Sequence, residues 1–133
     1  MVDSDRYLLI CQRYIEMNPV RAGIVSAPAD FQWSSHRYYA FGNNNPLLTP
    51  HPVVQGLAMG QVQRREAYKA LFSQALQPEL IDLIRTTANQ GWALGSERFL
   101  QHVEGTLGRS VRPPKRGRPR KVVAGKNPGE MLI

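Results

Sequence analysis

Ser4-Asp5-Arg6-Tyr7-Leu8-Leu9-Ile10-Cys11-Gln12-Arg13-Tyr14-Ile15-Glu16-Met17-Asn18-Pro19 carries the first decision about the architecture of this chain. Its apolar and aromatic residues do not alternate as those of a strand would; they recur at helical intervals. Tyr7, Cys11, Tyr14 and Asn18 stand at i, i+4, i+7 and i+11 and form one stripe. Leu8 and Ile15, flanked by Ile10, make a second apolar face, so the helix is expected to be covered on more than one side. Asp3, Ser4 or Asp5 suits its start, where a short polar side chain accepts from free N–H groups and negative charge complements the helix dipole. Pro19 is expected to end it, because a proline pushes the preceding residue out of helical backbone. The predicted helix is therefore Ser4 to Met17, followed by a tight turn over Asn18-Pro19-Val20-Arg21-Ala22-Gly23.

Working outward, residues 28–42 form a connector dense in aromatics (Phe31, Trp33, Tyr38, Tyr39, Phe41), with Ser34-Ser35 able to cap a short helix through Tyr39. Asn43-Asn44-Asn45-Pro46 is a loop by composition, extended by Pro50 and Pro52 before a short helix around Val53 to Ala58. Gln61 to Leu76 has the strongest helical pattern. Pro78 opens another helix at its first turn, and Gly91 closes it with a left-handed cap. Ser96 caps a last helix carrying Phe99, Leu100, Val103 and Leu107 up to Gly108. No stretch alternates convincingly as a strand. The expected fold class is mainly α.

The net charge of +7 is not spread along the 133 residues. Up to Gly108 there are nine basic and nine acidic residues, whereas residues 109–133 hold eight basic residues against Glu130 alone. A basic segment almost free of acids acts as an electrostatic device, suited to a polyanion. Prolines 113, 114, 119 and 128 with glycines 117, 125 and 129 break any helix there, so 109–133 reads as a disordered basic tail. Within it, Lys115-Arg116-Gly117-Arg118-Pro119-Arg120-Lys121 resembles an AT-hook, although Lys115 stands where a proline usually precedes the first arginine. In such a core the glycine lets the backbone approach the floor of a narrow A·T minor groove, the proline holds it extended, and the arginines enter a region of strong negative potential. A single hook binds weakly and would assist another DNA contact.

Other chemistries are poorly represented. Cys11 is the one cysteine, which allows no internal disulfide and makes no metal site alone. His36, His51 and His102 lack metal-ligand spacing and read as ordinary surface or capping histidines. No segment has the roughly 18 consecutive apolar residues that point to a membrane helix. The acidic, polar start carries no export pattern, and a cytoplasmic location without membrane attachment is expected.

A tyrosine on the stripe of an amphipathic helix is ordinarily a core residue with a bonded hydroxyl. The context of Tyr14 points elsewhere. Arg13-Tyr14-Ile15-Glu16-Met17-Asn18-Pro19-Val20-Arg21-Ala22-Gly23-Ile24-Val25, then Pro28 and Trp33-Ser34-Ser35, strongly resembles the REP-associated tyrosine transposases, bacterial HUH-type enzymes acting on single-stranded DNA. Leu47-Leu48-Thr49-Pro50-His51-Pro52, Gly91-Trp92-Ala93-Leu94-Gly95-Ser96-Glu97-Arg98-Phe99 and the Arg-Gly-Arg-Pro end resemble the extended C-terminal part of some members.

The resemblance implies that Tyr14 is the nucleophile, whose hydroxyl attacks a DNA phosphodiester to leave a 5′-phosphotyrosine and a free 3′-OH. A phenol ionises only near pH ~10, and in the family a divalent metal, Mg or Mn, polarises the scissile phosphate. Two histidines of a His-hydrophobic-His strand bind that metal, and a polar residue one turn after the tyrosine, here Asn18, completes the site. The histidine pair and the ferredoxin-like sheet that presents it are not in this sequence. The chain is therefore expected to be a C-terminal portion of such an enzyme, from a truncated gene or a late start, and inactive alone; metal binding by it is doubtful. Residues 1–42 would belong to the transposase domain, continuing its ferredoxin-like α+β fold, 43–108 to a helical extension and 109–133 to the tail. Its partners would be DNA, namely single-stranded hairpin repeats and an A·T-rich minor groove. The apolar face left on the first helix would need the later helices or a second copy, as a homodimer, to cover it. The alternative is a non-enzymatic DNA-binding accessory or regulator that works through the basic tail.

Overall fold

A computed structural model describes residues 1–114 and Gly117, and they are mainly helical. Among the described residues six α-helices follow one another: α1 (Ser4–Arg21), α2 (His36–Phe41), α3 (Pro52–Gln55), α4 (Gln61–Leu71), α5 (Pro78–Gln90) and α6 (Glu97–Leu107), with a 3-10 turn at Pro28–Asp30. Among the described residues extended pairing is confined to one parallel bridge, Val2 with Leu94. There Asp3 N–H donates to the Leu94 carbonyl at 2.8 Å and Leu94 N–H to that of Met1 at 2.9 Å. Among these residues no helix is long and apolar enough to cross a membrane. The bulk of the predicted AT-hook-like motif (Lys115, Arg116, Arg118, Pro119, Arg120 and Lys121) lies outside the described residues.

The first helix departs from expectation at both its end and its buried face. It runs through Pro19 to Arg21 rather than stopping at Met17. A proline this close to the C-terminus removes little: the Ile15 carbonyl loses its donor, and Ile15 is largely exposed, so water can replace it. The Arg21 guanidinium also donates to the Tyr14 carbonyl, and Ala22 N–H to that of Asn18 at 2.9 Å. The core-facing stripe is Leu9, Gln12, Glu16 and Pro19, not Tyr7, Cys11, Tyr14 and Asn18. Leu9 packs against the buried cluster of Ala40, Val54 and Tyr68, which Tyr39, Leu57, Leu71 and Phe72 complete. Later helices thus cover one face of α1. Ile15, expected on an apolar face, is 59% exposed.

Local signals place the later helices well. Ser96 Oγ accepts from Phe99 N–H at 3.2 Å to cap α6, and Gly91 and Gly108 close α5 and α6 in left-handed backbone. Asp3 caps nothing with its side chain; its Oδ2 instead accepts from Ser96 Oγ at 3.1 Å, joining the start of α1 to the start of α6. α4 ends at Leu71, five residues short of the predicted Leu76, where Ser73 Oγ donates to the Ala70 carbonyl at 2.7 Å.

A second cluster, Ala93, Val103 and Val111 with Phe99 and Leu100, includes residues beyond α6. Ala93 N–H donates to the Val111 carbonyl at 2.8 Å, and Arg112 bonds Glu97 and Glu104, each at 2.8 Å. The packed body thus extends to Arg112.

Candidate functional site

The two faces of α1 have opposite chemistry. On the inner face Glu16 is fully buried, and both its carboxylate oxygens are met. Oε1 accepts from Ser35 Oγ at 2.5 Å and from the Tyr68 hydroxyl at 2.7 Å, while Oε2 faces His36 Nδ1 at 2.8 Å. Gln12 Nε2 donates to the Tyr68 oxygen at 2.9 Å. His36, expected to be an ordinary surface or capping histidine, is buried, with Phe72 edge-on to its ring at 4.6 Å. Burial, reinforced by the Glu16 carboxylate, pushes the Tyr68 hydroxyl far above its ordinary ionisation range. These groups share their protons and lone pairs with one another, so the cluster acts as a polar pin through the first core. Its sequence trace was the i, i+4 pair Gln12 and Glu16 amid an otherwise apolar helix, but nothing in the sequence showed which distant groups would answer it.

The outer face carries Tyr14, about 200° round the helix from Glu16 at ~100° per residue. Tyr14 is half-buried and Asn18 exposed. Arg21 joins them: its guanidinium carbon lies 4.4 Å from the Tyr14 ring centroid, and Nη2 donates to Asn18 Oδ1 at 2.6 Å. Arg21 Nε is buried without a hydrogen-bond partner. Burial, with the nearby Arg85 charge on α5 adding to it, draws the Arg21 guanidinium below its ordinary value; an arginine nonetheless stays charged. Arg13, one residue before Tyr14, donates to the Gln74 carbonyl at 2.5 Å. It shares with Arg21 a groove of about 350 Å³ walled by Met17, Phe72, Leu76 and Ile81. Among the described residues, the ion pairs are those of His36, Lys69 and Arg112, so no carboxylate neutralises Arg13, Arg21 or Arg85. Tyr14 therefore sits against one guanidinium, that of Arg21, which has no acidic partner among the described residues, an arrangement suited to a phosphate diester.

The same geometry tests the metal site that the resemblance implies. Asn18 offers its amide oxygen to a cationic guanidinium, and the charges beside it are positive. These residues alone do not fit a divalent cation. Among the described residues no three His, Cys, Asp or Glu side chains converge as a metal site. His51 Nδ1 accepts from Val53 N–H at 3.1 Å and caps α3, and His102 is exposed on α6. Burial raises the half-buried Cys11 thiol, away from nucleophilic use. No family model, curated protein or solved structure matches this chain.

Proposed function

We propose that this chain is a DNA-binding portion of a tyrosine transposase of the REP-associated type, with Tyr14 at the position of the nucleophile and no cleavage activity of its own. One observation carries the reading: Tyr14 lies away from the core-facing stripe of α1, with the arginine of its own motif, Arg21, against its ring. A tyrosine kept only for packing would belong with Leu9 and Glu16. In the proposed chemistry the Tyr14 hydroxyl attacks a phosphodiester, the P–O3′ bond breaks, and DNA is held as a 5′-phosphotyrosine beside a free 3′-OH. The reverse attack by a 3′-OH rejoins the strand. Arg21 would neutralise the phosphate beside the phenol, and Arg13 and Arg85 would supply further positive potential along the strand.

The activating metal belongs to a histidine pair that this sequence does not contain, and Asn18 is already engaged by Arg21. This chain alone is thus a binding partner for the strand rather than its scissor. The test is a purified sample with hairpin-bearing single-stranded DNA and Mg²⁺ or Mn²⁺. Binding without nicking is expected, weakened by Arg21→Ala. Metal-dependent nicking that disappears in Tyr14→Phe would overturn the inactivity.

A further inference from the structure

A second cleft lies between α2, α3 and α4, apart from the residues around Tyr14, and holds about 270 Å³. That is at the small end of ligand pockets, nearer to one nucleotide than to a larger molecule. Its walls combine three chemistries. Tyr38 presents an aromatic surface, and its ring is braced edge-on by Tyr39 at 4.9 Å, which is itself stacked on the buried Tyr68 at 5.3 Å. Arg64 and Arg65 also line it, from the first turns of α4, and among the described residues no carboxylate lines the cleft. Gln55 and Gln61 add amides that can both donate and accept.

Gly42 explains how a guanidinium reaches this floor. It ends α2 at φ 69°, and a Cβ there would lie 2.2 Å from Arg65 Cζ. The missing side chain lets the guanidinium lie against the backbone. Among the described residues neither Arg64 nor Arg65 has an acidic partner, so both charges are available to a ligand.

We propose that this cleft binds one nucleotide unit of a single-stranded nucleic acid, its base on Tyr38 and its phosphate on Arg64 and Arg65. A base needs a flat aromatic surface with nearby amides, and a phosphate needs guanidinium groups free of internal ion pairs; the cleft supplies both within one nucleotide's reach. The site is independent of strand cleavage and would bind whether or not Tyr14 attacks DNA.

The test uses the full chain, titrated with thymidine 5′-monophosphate, thymidine and inorganic phosphate and followed by NMR. The nucleotide is expected to shift the Tyr38 ring protons upfield at lower concentration than either fragment. Tyr38→Ala should weaken nucleotide binding about 5-fold or more, Tyr38→Phe should retain it, and the Arg64→Ala, Arg65→Ala double variant should weaken it about 10-fold or more. If Tyr38→Ala does not fold, the ring shifts in the unmodified chain decide. Phosphate binding as tightly as the nucleotide, or a nucleotide leaving the Tyr38 resonances unmoved, would overturn the proposal. An Arg21→Ala chain that binds the nucleotide normally but holds hairpin DNA more weakly separates this site from the proposed transposase face.

Discussion

Glu16 has no water contact, yet its carboxylate meets Ser35, His36 and Tyr68, and that satisfaction is what makes its burial tolerable. Removing the carboxylate strands three partners at once. Glu16→Ala is expected to destabilise the fold by about 3–5 kcal/mol, measurable by urea denaturation, with Glu16→Gln losing less because its amide keeps part of the network. Tyr68 gives the same cluster an alkaline weakness. Its hydroxyl is held protonated in the folded chain well beyond its ordinary range, whereas in the unfolded chain it ionises near pH ~10. Above that pH the unfolded state has released a proton that the native state still holds, so stability falls as pH rises, by up to about 1.4 kcal/mol per pH unit. Tyr68→Phe should begin less stable and lose this alkaline slope relative to the parent chain. An identical slope in both would show that Tyr68 is not the group responsible. His36 escaped the sequence reading for the same reason that Glu16 did: its partner lies 20 residues away and has no local signature.

At the scale of elements, the ends of α5 and α6 were legible and those of α1 and α4 were not. Pro78, Gly91, Ser96 and Gly108 act through their own backbone preferences, which need no tertiary partner. The end of α1 was decided by a buried proline and by an arginine folding back on Tyr14, and the end of α4 by a serine turning its hydroxyl to Ala70. The segment after α6 is a further case, because its composition resembles the tail while Val111 packs in the second core. Val111→Ala is expected to cost about 1–3 kcal/mol and to raise amide exchange across residues 109–112. The Glu104 carboxyl, held below its ordinary range chiefly by the Arg112 hydrogen bond, adds an acid-sensitive contact. Its contribution is present above the ordinary carboxylate range and is lost as pH falls below it. Acidification should therefore lower the protection factors at 109–112 in the parent chain, and Glu104→Gln should reduce that dependence.

For the whole molecule, the positive charge is the property that would govern encounter with the proposed DNA partner. Deleting residues 115–133 removes six of the basic residues and leaves both packed clusters intact. Duplex affinity should fall and its salt dependence flatten, with each lost phosphate contact reducing the log–log slope by about 0.9. Hairpin single strands should still bind through the arginines around Tyr14. A truncated chain with the parent's duplex affinity and salt slope would sink the tail as a DNA contact. The helical class, the caps of the last two helices and the concentration of charge beyond Gly108 were determined by the sequence alone, since each depends on backbone preference or simple counting. The tertiary structure decided which face of α1 turns inward. Hydrophobic spacing favoured the tyrosine stripe, but Gln12 and Glu16 found hydrogen-bonding partners 56 and 52 residues away on Tyr68. A polar group is buried only where such partners converge, and that convergence exists in three dimensions, not in the spacing of one helix.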